Sequence, residues 1–175
     1  MKLVPDREQV EAVWRQRAVR LSRRPTVSTQ EFQLHVLVLA LGKERYGIEI
    51  ADVAEVLPAI LCTPVPGAPP VIAGVMNVRG EIRPVMDLKL ILGIRNAAVP
   101  GVPAPVILLR QQAREVGVQV DQVEQIRTIA AGELRACGDE TAGLSRYLKG
   151  ITQDTLMLLS TEALYTEFLK DESAT

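Results

Sequence analysis

The sequence contains few of the residues on which catalysis, metal binding and disulfide bonding depend. Its 175 residues include one histidine and two cysteines, Cys62 and Cys137. Neither cysteine has a second cysteine or a histidine at metal-ligand spacing, and a secreted disulfide scaffold would contain more of them. His35 has no serine or cysteine nearby in the sequence, which argues against nucleophilic catalysis. We therefore expect reduced thiols, no metal, no cofactor and no enzymatic activity.

Aromatic residues are also scarce, and neither sign of charge dominates. Aromatic side chains make up 3% of the chain, and the formal net charge is −1. A general nucleic-acid-binding protein usually shows a clear basic excess and exposed aromatic residues, so this class is disfavoured. No window approaches the ~18 uninterrupted apolar residues of a membrane span, and the N-terminus has no apolar signal-peptide region. The sequence predicts a cytoplasmic protein with an aliphatic core, which favours β-strands.

Residues 1–30 differ from the rest and are predicted to form an N-terminal helical extension and a linker. Apolar residues recur at helical spacing after Asp6, a plausible N-cap. They are Val10, Val13, Trp14, Ala18 and Leu21. Three interpretations remain open: the helix packs on the following domain, it docks on a partner, or it lies on a membrane surface.

The stretch Pro64–Leu88 carries the strongest local pattern. Its prolines exclude a helix at the start, and two apolar segments then flank the polar sequence Asn77-Val78-Arg79-Gly80. Asn and Gly tolerate positive φ, so these four residues are predicted to form the turn of a β-hairpin. Such a turn presents the long cation Arg79 between two rigid strands, as a binding site would.

Two halves of the sequence resemble each other. Gly47-Ile48-Glu49-Ile50 corresponds to Gly117-Val118-Gln119-Val120, and Gly74-Val75 corresponds to Gly150-Ile151. Short strands with tight turns, repeated twice, indicate two small barrels that pack together. We assign about 32–94 to the first barrel, about 105–160 to the second, 161–169 to a C-terminal helix and 170–175 to a tail. The second copy has no equivalent of the Asn-x-Arg-Gly turn.

These motifs resemble the CheW family of chemotaxis coupling proteins over most of 31–169. The resemblance is carried by Tyr46-Gly47-Ile48, by Val53-Ala54-Glu55-Val56, by Gly74–Gly80 with Pro84–Leu88, and by Val116–Val123. It implies a mainly β fold of two packed SH3-like five-stranded barrels. It also implies a non-enzymatic adaptor that links the cytoplasmic tips of chemoreceptors to the regulatory domain of a CheA-type histidine kinase. Its expected location is the receptor array next to the inner membrane, without direct membrane insertion.

The resemblance also implies two sets of contact residues. The expected receptor-binding positions are Val53, Glu55, Asn77, Arg79 and Gly80. The expected kinase-binding positions, less clearly marked, are Val118, Val120 and Val123.

Structural roles remain open for several of these residues. Arg79 could instead cap its own hairpin or pair with Glu55 or Asp87, and Val53 could be an ordinary core residue. A different class of function also stays open, namely a small-barrel module that binds other peptides or RNA.

Overall fold

The computed structural model describes residues 33–94, 102–111, 114–137 and 143–172. The predicted N-terminal helix and linker, residues 95–101 between the two predicted barrels and the last residues of the tail lie outside these ranges. The described residues form strands β1 (Gln33–Leu41), β2 (Glu44–Glu49), β3 (Val53–Ile60), β4 (Ile72–Val78), β5 (Glu81–Asp87), β6 (Ala104–Gln111), β7 (Arg114–Gln119), β8 (Gln122–Ala130), β9 (Leu148–Ile151) and β10 (Met157–Leu159). They also form the helices α1 (Leu88–Ile91) and α2 (Thr161–Glu172).

The strands form two five-stranded sheets, which confirms the predicted mainly β architecture. One sheet has the order β8-β1-β2-β10-β9, and the other has the order β3-β6-β7-β5-β4. In each sheet, an isolated bridge joins the segment that follows one edge strand to the strand at the other edge. Arg135, after β8, bridges to Ile151 on β9, and Thr63, after β3, bridges to Val75 on β4. We call the first sheet barrel I and the second barrel II.

Each barrel takes strands from both halves of the chain, which differs from the expected first barrel at 32–94 and second barrel at 105–160. The β1–β2 hairpin pairs with β8 and β10, while the β6–β7 hairpin pairs with β3 and β5. The chain crosses between barrels at the short 3-10 turn Ile50–Asp52 and again directly after β7. The repeat therefore exists, but its two copies have exchanged hairpins.

Alternation along the strands divides the apolar residues between three clusters. Val36 and Val38 lie inside barrel I, whereas Leu37, Leu39 and Leu41 belong to the core shared by the two barrels. Neighbouring residues point to opposite faces of a strand, so one apolar run serves both cores. The interior of barrel II contains Met76, Val85, Val106 and Leu108.

The two repeated glycines face the bridges that close the barrels. A Cβ atom at Gly74 would lie 2.4 Å from the carbonyl oxygen of Thr63, and one at Gly150 would lie 2.9 Å from that of Arg135. These carbonyl groups belong to the two bridging residues. The Gly74/Gly150 correspondence thus reflects a close backbone approach that a side chain would block.

Helix α2 is longer than the predicted 161–169, because it continues to Glu172. At its start, the Oγ of Ser160 accepts a hydrogen bond from the Ala163 N–H at 3.3 Å. The Thr161 hydroxyl donates to the Asp52 carboxylate at 2.6 Å. This buried hydroxyl therefore joins the helix to the turn at which the chain passes from β2 to β3.

Candidate functional site

The hairpin between β4 and β5 turns on two residues, not on the four predicted. Val78 pairs with Glu81, which leaves only Arg79 and Gly80 as loop residues, with φ of 55° and 88°. Two consecutive positive φ values are the signature of a type I′ turn, whose twist matches that of the flanking strands. Asn77 belongs to β4, and its Oδ1 accepts a hydrogen bond from the Gly80 N–H at 2.8 Å. We call Arg79 and Gly80 the Arg79 turn.

Arg79 occupies a backbone conformation that residues other than Gly, Asn and Asp rarely adopt. The left-handed region costs such a residue about 1–2 kcal/mol, because its Cβ approaches the following carbonyl oxygen. The side chain offsets part of this cost by pairing with Glu55 on β3, at 3.0 and 3.1 Å from Nη2 to the two carboxylate oxygens. Of the two acidic partners considered from the sequence, Glu55 is the one that the Arg79 turn contacts. Asp87 is buried and accepts hydrogen bonds from the N–H groups of Lys89 and Leu90 at the start of α1.

The Arg79–Glu55 pair leaves most of the arginine accessible. The Arg79 side chain is 80% exposed and that of Glu55 is 31% exposed. An exposed pair of this kind stabilises a fold by at most about 1 kcal/mol, so it serves mainly to orient the two groups. Val53, at the start of β3, is half-buried against the shared core. Three of the five expected receptor-binding residues, Asn77, Arg79 and Gly80, are exposed on one hairpin.

Two of the three expected kinase-binding residues lie in the core. Val118 is 0% exposed and Val120 is 1% exposed, and both belong to the cluster shared by the barrels. A side chain without exposed surface cannot contact a partner while the fold is intact, so the expectation is corrected for these two valines. Val123 is half-buried at the start of β8, and Ile126 on the same strand is 65% exposed. Apolar alternation looks the same for core and contact residues, which is why the sequence did not separate them.

Barrel II opens beside the Arg79 turn into a cavity of about 280 Å³. Leu108, a residue of the barrel interior, forms part of its lining. Arg110 lies two residues beyond Leu108, and Arg83 lies two residues before the inward-facing Val85. Because alternate residues share one face of a strand, both arginines point toward the same interior, at the end where it opens. We call this cavity the barrel II mouth; its lining includes Glu55, Val78, Arg79, Arg83, Arg110 and Glu115.

An ion network spans the strands at the barrel II mouth. Arg110 donates from Nε and Nη2 to one oxygen of Glu115, at 3.1 and 2.9 Å. The other Glu115 oxygen lies 3.5 Å from Nε of Arg83, whose Nη2 pairs with Glu81. The hydrogen bonds from Arg110, together with the nearby charge of Arg83, lower the pKa of Glu115. The carboxylate thus links two guanidinium groups that come from different strands.

Sequence reasoning missed Arg83, Arg110 and Glu115, although a signal was present. Each of the three lies on the inward-facing side of its own strand, at the end where barrel II opens. When the inward-facing residues at one end of a strand are charged and the others are apolar, they indicate the open end of a barrel. That inference requires the inward phase to be known, and only the strand pairing provides it.

Barrel I has its own counterpart of the Arg79 turn between β9 and β10. Thr155 has a φ of 65°, and it lies 76 residues after Arg79, the same offset as Gly150 from Gly74. The preceding residue, Asp154, pairs with Arg127 on β8 and accepts a hydrogen bond from the Thr152 hydroxyl at 2.7 Å. Both hairpins are thus tied by an ion pair to the strand at the opposite edge of their sheet, but barrel I carries the carboxylate on the turn and the arginine on the strand.

This carboxylate makes a specific pH dependence expected. The hydrogen bond from Arg127, aided by the one from Thr152, lowers the pKa of Asp154 from 3.8 to about 2. Because the folded-state pKa is depressed, the stabilising contribution is complete above pH ~4 and is lost as the pH falls through about 2. Asp154→Asn should therefore lower the free energy of unfolding at neutral pH. In urea titrations the difference from the unmodified chain should shrink between pH ~4 and ~2. A difference that stays constant over this interval would contradict the assignment.

Within the described ranges, no group of three or more His, Cys, Asp or Glu residues is placed to hold a metal ion. Cys62 and Cys137 are both free thiols, and burial raises the pKa of Cys62. No helix in the described part of the chain is long and apolar enough to cross a membrane.

Comparison with known proteins gives consistent similarities. The family model of the CheW-like domain matches residues 35–168. The chemotaxis protein CheW of Klebsiella aerogenes is 32% identical over 123 residues, which cover 70% of this chain and 71% of that protein. The CheW of Rhizobium meliloti is 29% identical over 117 residues, covering 66% and 75% respectively. The crystal structure of the scaffolding protein TtCheW from Thermoanaerobacter tengcongensis superposes with a TM-score of 0.66 at 27% identity, covering 74% of this chain and 90% of that one.

Proposed function

Since this chain belongs to the CheW-like family, whose members act as chemotaxis adaptors and scaffolds, we propose that it couples chemoreceptors to a CheA-type histidine kinase. The match to residues 35–168 carries this proposal, because it spans strands of both barrels. An adaptor acts through surfaces, so we further propose that the chain works without catalysis of its own. Its place of action would be the cytoplasmic receptor array.

For the receptor, we propose the surface formed by the Arg79 turn, Asn77 and the start of β3. The turn is held at both strand ends by hydrogen bonds and at its tip by the Glu55 pair, so its position is fixed before a partner arrives. A fixed group loses little conformational entropy on binding. Val53, the first residue of β3, supports this surface by packing against the shared core.

For the kinase regulatory domain, we propose a contact along β8 of barrel I. Val123 remains from the expected set, and the strongly exposed Ile126 adds an apolar side chain to the same strand. The two proposed surfaces lie on different barrels. One chain could therefore hold both partners at once, as an adaptor must.

The alternative, an RNA-binding small barrel, lacks a stacking platform in the described ranges. Such proteins stack bases on exposed aromatic side chains. Tyr46, Tyr147 and Tyr165 are 0%, 2% and 5% exposed, and the fourth described aromatic residue, Phe168, is half-buried against the shared core. A single half-buried ring is not the row of exposed aromatic side chains on which successive bases stack. This burial favours the adaptor over the RNA-binding module.

Reconstitution of a three-component complex tests the proposed function. The kinase, a membrane-embedded receptor and this chain should form a sedimenting complex in which receptor ligand changes the rate of kinase autophosphorylation. Omitting the chain should abolish the effect of the ligand, because nothing then joins receptor to kinase. A chain that binds neither protein would contradict the proposal, and a salt-sensitive gel shift with single-stranded RNA would favour the alternative.

A further inference from the structure

The barrel II mouth has more hydrogen-bond donors than acceptors. Each guanidinium group carries five N–H donors and no acceptor. Among the described residues, Arg79 donates from Nη2 to Glu55, and Arg83 donates from Nη2 to Glu81. The Nε of Arg83 is buried without a hydrogen-bond acceptor, since the nearest Glu115 oxygen lies 3.5 Å away. The donors open to an incoming acceptor are those of Arg79 and Arg110, whose side chains are 80% and 60% exposed, and not the buried Nε of Arg83.

Two of the three carboxylates at the mouth are fully engaged, whereas the third, Glu81, pairs with Arg83 and keeps 65% of its side chain exposed. Glu115 is shared by Arg110 and Arg83, and both oxygens of Glu55 face Nη2 of Arg79. Arg110 nevertheless keeps 60% of its side chain exposed and Arg79 keeps 80%. An acceptor that reaches Arg79 and Arg110 can bind N–H groups that no carboxylate of the mouth engages, and a carboxylate matches their geometry best.

The size of the mouth also limits what can enter. Its volume of about 280 Å³ lies just below the roughly 300–1,000 Å³ typical of small-molecule sites. Ala54, Val78 and Leu108 provide apolar lining below the charged groups. A single side chain with an apolar stem and a charged end fits this combination, whereas a whole helix does not.

We propose that the barrel II mouth receives one Glu or Asp side chain of the receptor segment, whose carboxylate accepts hydrogen bonds from Arg110 and Arg79. This proposal rests on the proposed receptor coupling and specifies its chemistry. It assigns Arg110, on β6, a direct contact with the partner. Glu115 is a positioning residue that holds Arg110 against the mouth.

The test compares two arginines in nearly identical ion pairs. Arg110 and Arg45 are 60% and 54% exposed, and each pairs with a glutamate at 2.9 Å, but Arg45 belongs to barrel I. The probe is the cytoplasmic helical-hairpin fragment of a receptor from the same organism, titrated into the full chain by calorimetry. Arg110→Gln should weaken binding at least about tenfold, since a charge-assisted hydrogen bond is lost, whereas Arg45→Gln should change it less than about twofold. Both variants should lower the urea midpoint by the same small amount, because each loses one exposed ion pair.

The occupant is then identified from the partner side. Each Asp and Glu of the fragment is replaced in turn by its amide. One replacement should weaken binding to the unmodified chain but cause no further loss with Arg110→Gln. This non-additivity would show that the two groups touch.

Three outcomes would overturn the proposal. Equal effects of Arg110→Gln and Arg45→Gln on binding would rule out the barrel II mouth as a receptor contact but would not contradict the proposed receptor coupling. A second contrary outcome is that no acidic residue of the fragment shows non-additivity with Arg110→Gln while Glu81→Gln weakens binding. This would indicate that a cation, and not a carboxylate, occupies the mouth. Absence of binding by the unmodified chain would overturn receptor coupling as well.

Discussion

Asparagine in place of Arg79 should weaken receptor coupling about tenfold or more while leaving the fold at least as stable. Asn tolerates the left-handed conformation that Arg79 adopts at φ 55°, so the substitution relieves backbone strain that Arg79→Ala would keep. The loss of a charge-assisted hydrogen bond to a partner costs about 1.5–3 kcal/mol, which corresponds to a tenfold or larger change in affinity. Binding to the receptor fragment and the urea midpoint, measured on one preparation, separate the two effects.

Glu55→Gln is the matched control for this substitution. It removes the charge that pairs with Arg79 but leaves the guanidinium group on the turn. If Arg79 touches the partner and Glu55 serves only to orient Arg79, this variant should bind within a few-fold of the unmodified chain. If Arg79 only braces the hairpin, Glu55→Gln and Arg79→Asn should weaken binding equally, and the contact role would be wrong. An unfolded Arg79→Asn chain would assign the arginine to stability instead.

Alanine in place of Gly74 should destabilise the chain by about 3 kcal/mol or more. A new Cβ would lie 2.4 Å from the Thr63 carbonyl oxygen and 2.8 Å from its carbon, and φ at this position is 149°. Thr63 and Val75 exchange hydrogen bonds of 2.8 and 2.9 Å that close barrel II. Backbone atoms cannot yield as a flexible side chain can, so the substitution must open this bridge. Backbone strain of about 1–3 kcal/mol adds to the loss of two hydrogen bonds.

A graded series of glycine substitutions makes this expectation specific. Gly42→Ala introduces a residue at φ 62° with nothing within 4 Å, so only the conformational cost of about 1–2 kcal/mol applies. Gly150→Ala should fall between the two, because its Cβ would lie 2.9 Å from the Arg135 carbonyl oxygen. Urea unfolding should rank the losses as Gly42, Gly150 and Gly74 in increasing order. A loss at Gly74 no larger than that at Gly42 would mean that the closing bridge does not constrain the barrel.

Much of the first hairpin could be predicted from its residues alone. Prolines, an Asn-x-Arg-Gly sequence and flanking apolar segments are local signals, and they placed a β-hairpin with an exposed arginine correctly. The turn itself proved shorter than predicted, because Asn77 and Val78 still pair as part of β4. Turn length depends on the register in which the two strands pair. This register is set by the residues of both strands as well as by the turn residues.

The burial of Val118 and Val120 shows the limit of pattern reasoning. Their alternation with Gly117 and Gln119 marked a strand, and β7 is indeed a strand. It pairs with β5 on one side and β6 on the other, and Gln119 is itself only 7% exposed. A central strand covered on both faces keeps the alternation of a half-exposed one, so the pattern could not identify contact residues.

The sequence by itself determined the β content, the internal repeat, the hairpin that presents Arg79 and the resemblance to the CheW family. These features depend on local conformational preference, on period-2 alternation and on motif order. All three can be read from residues that are close together in the sequence or from their order along it. The tertiary structure alone decided that the repeats exchange hairpins, so that β1 pairs with β8 and β3 with β6. It also decided that Arg83, Arg110 and Glu115 meet at one barrel mouth. The physical reason is that these pairings join strands far apart in the chain. Their energies come from cores and ion networks that exist only after the barrels have closed.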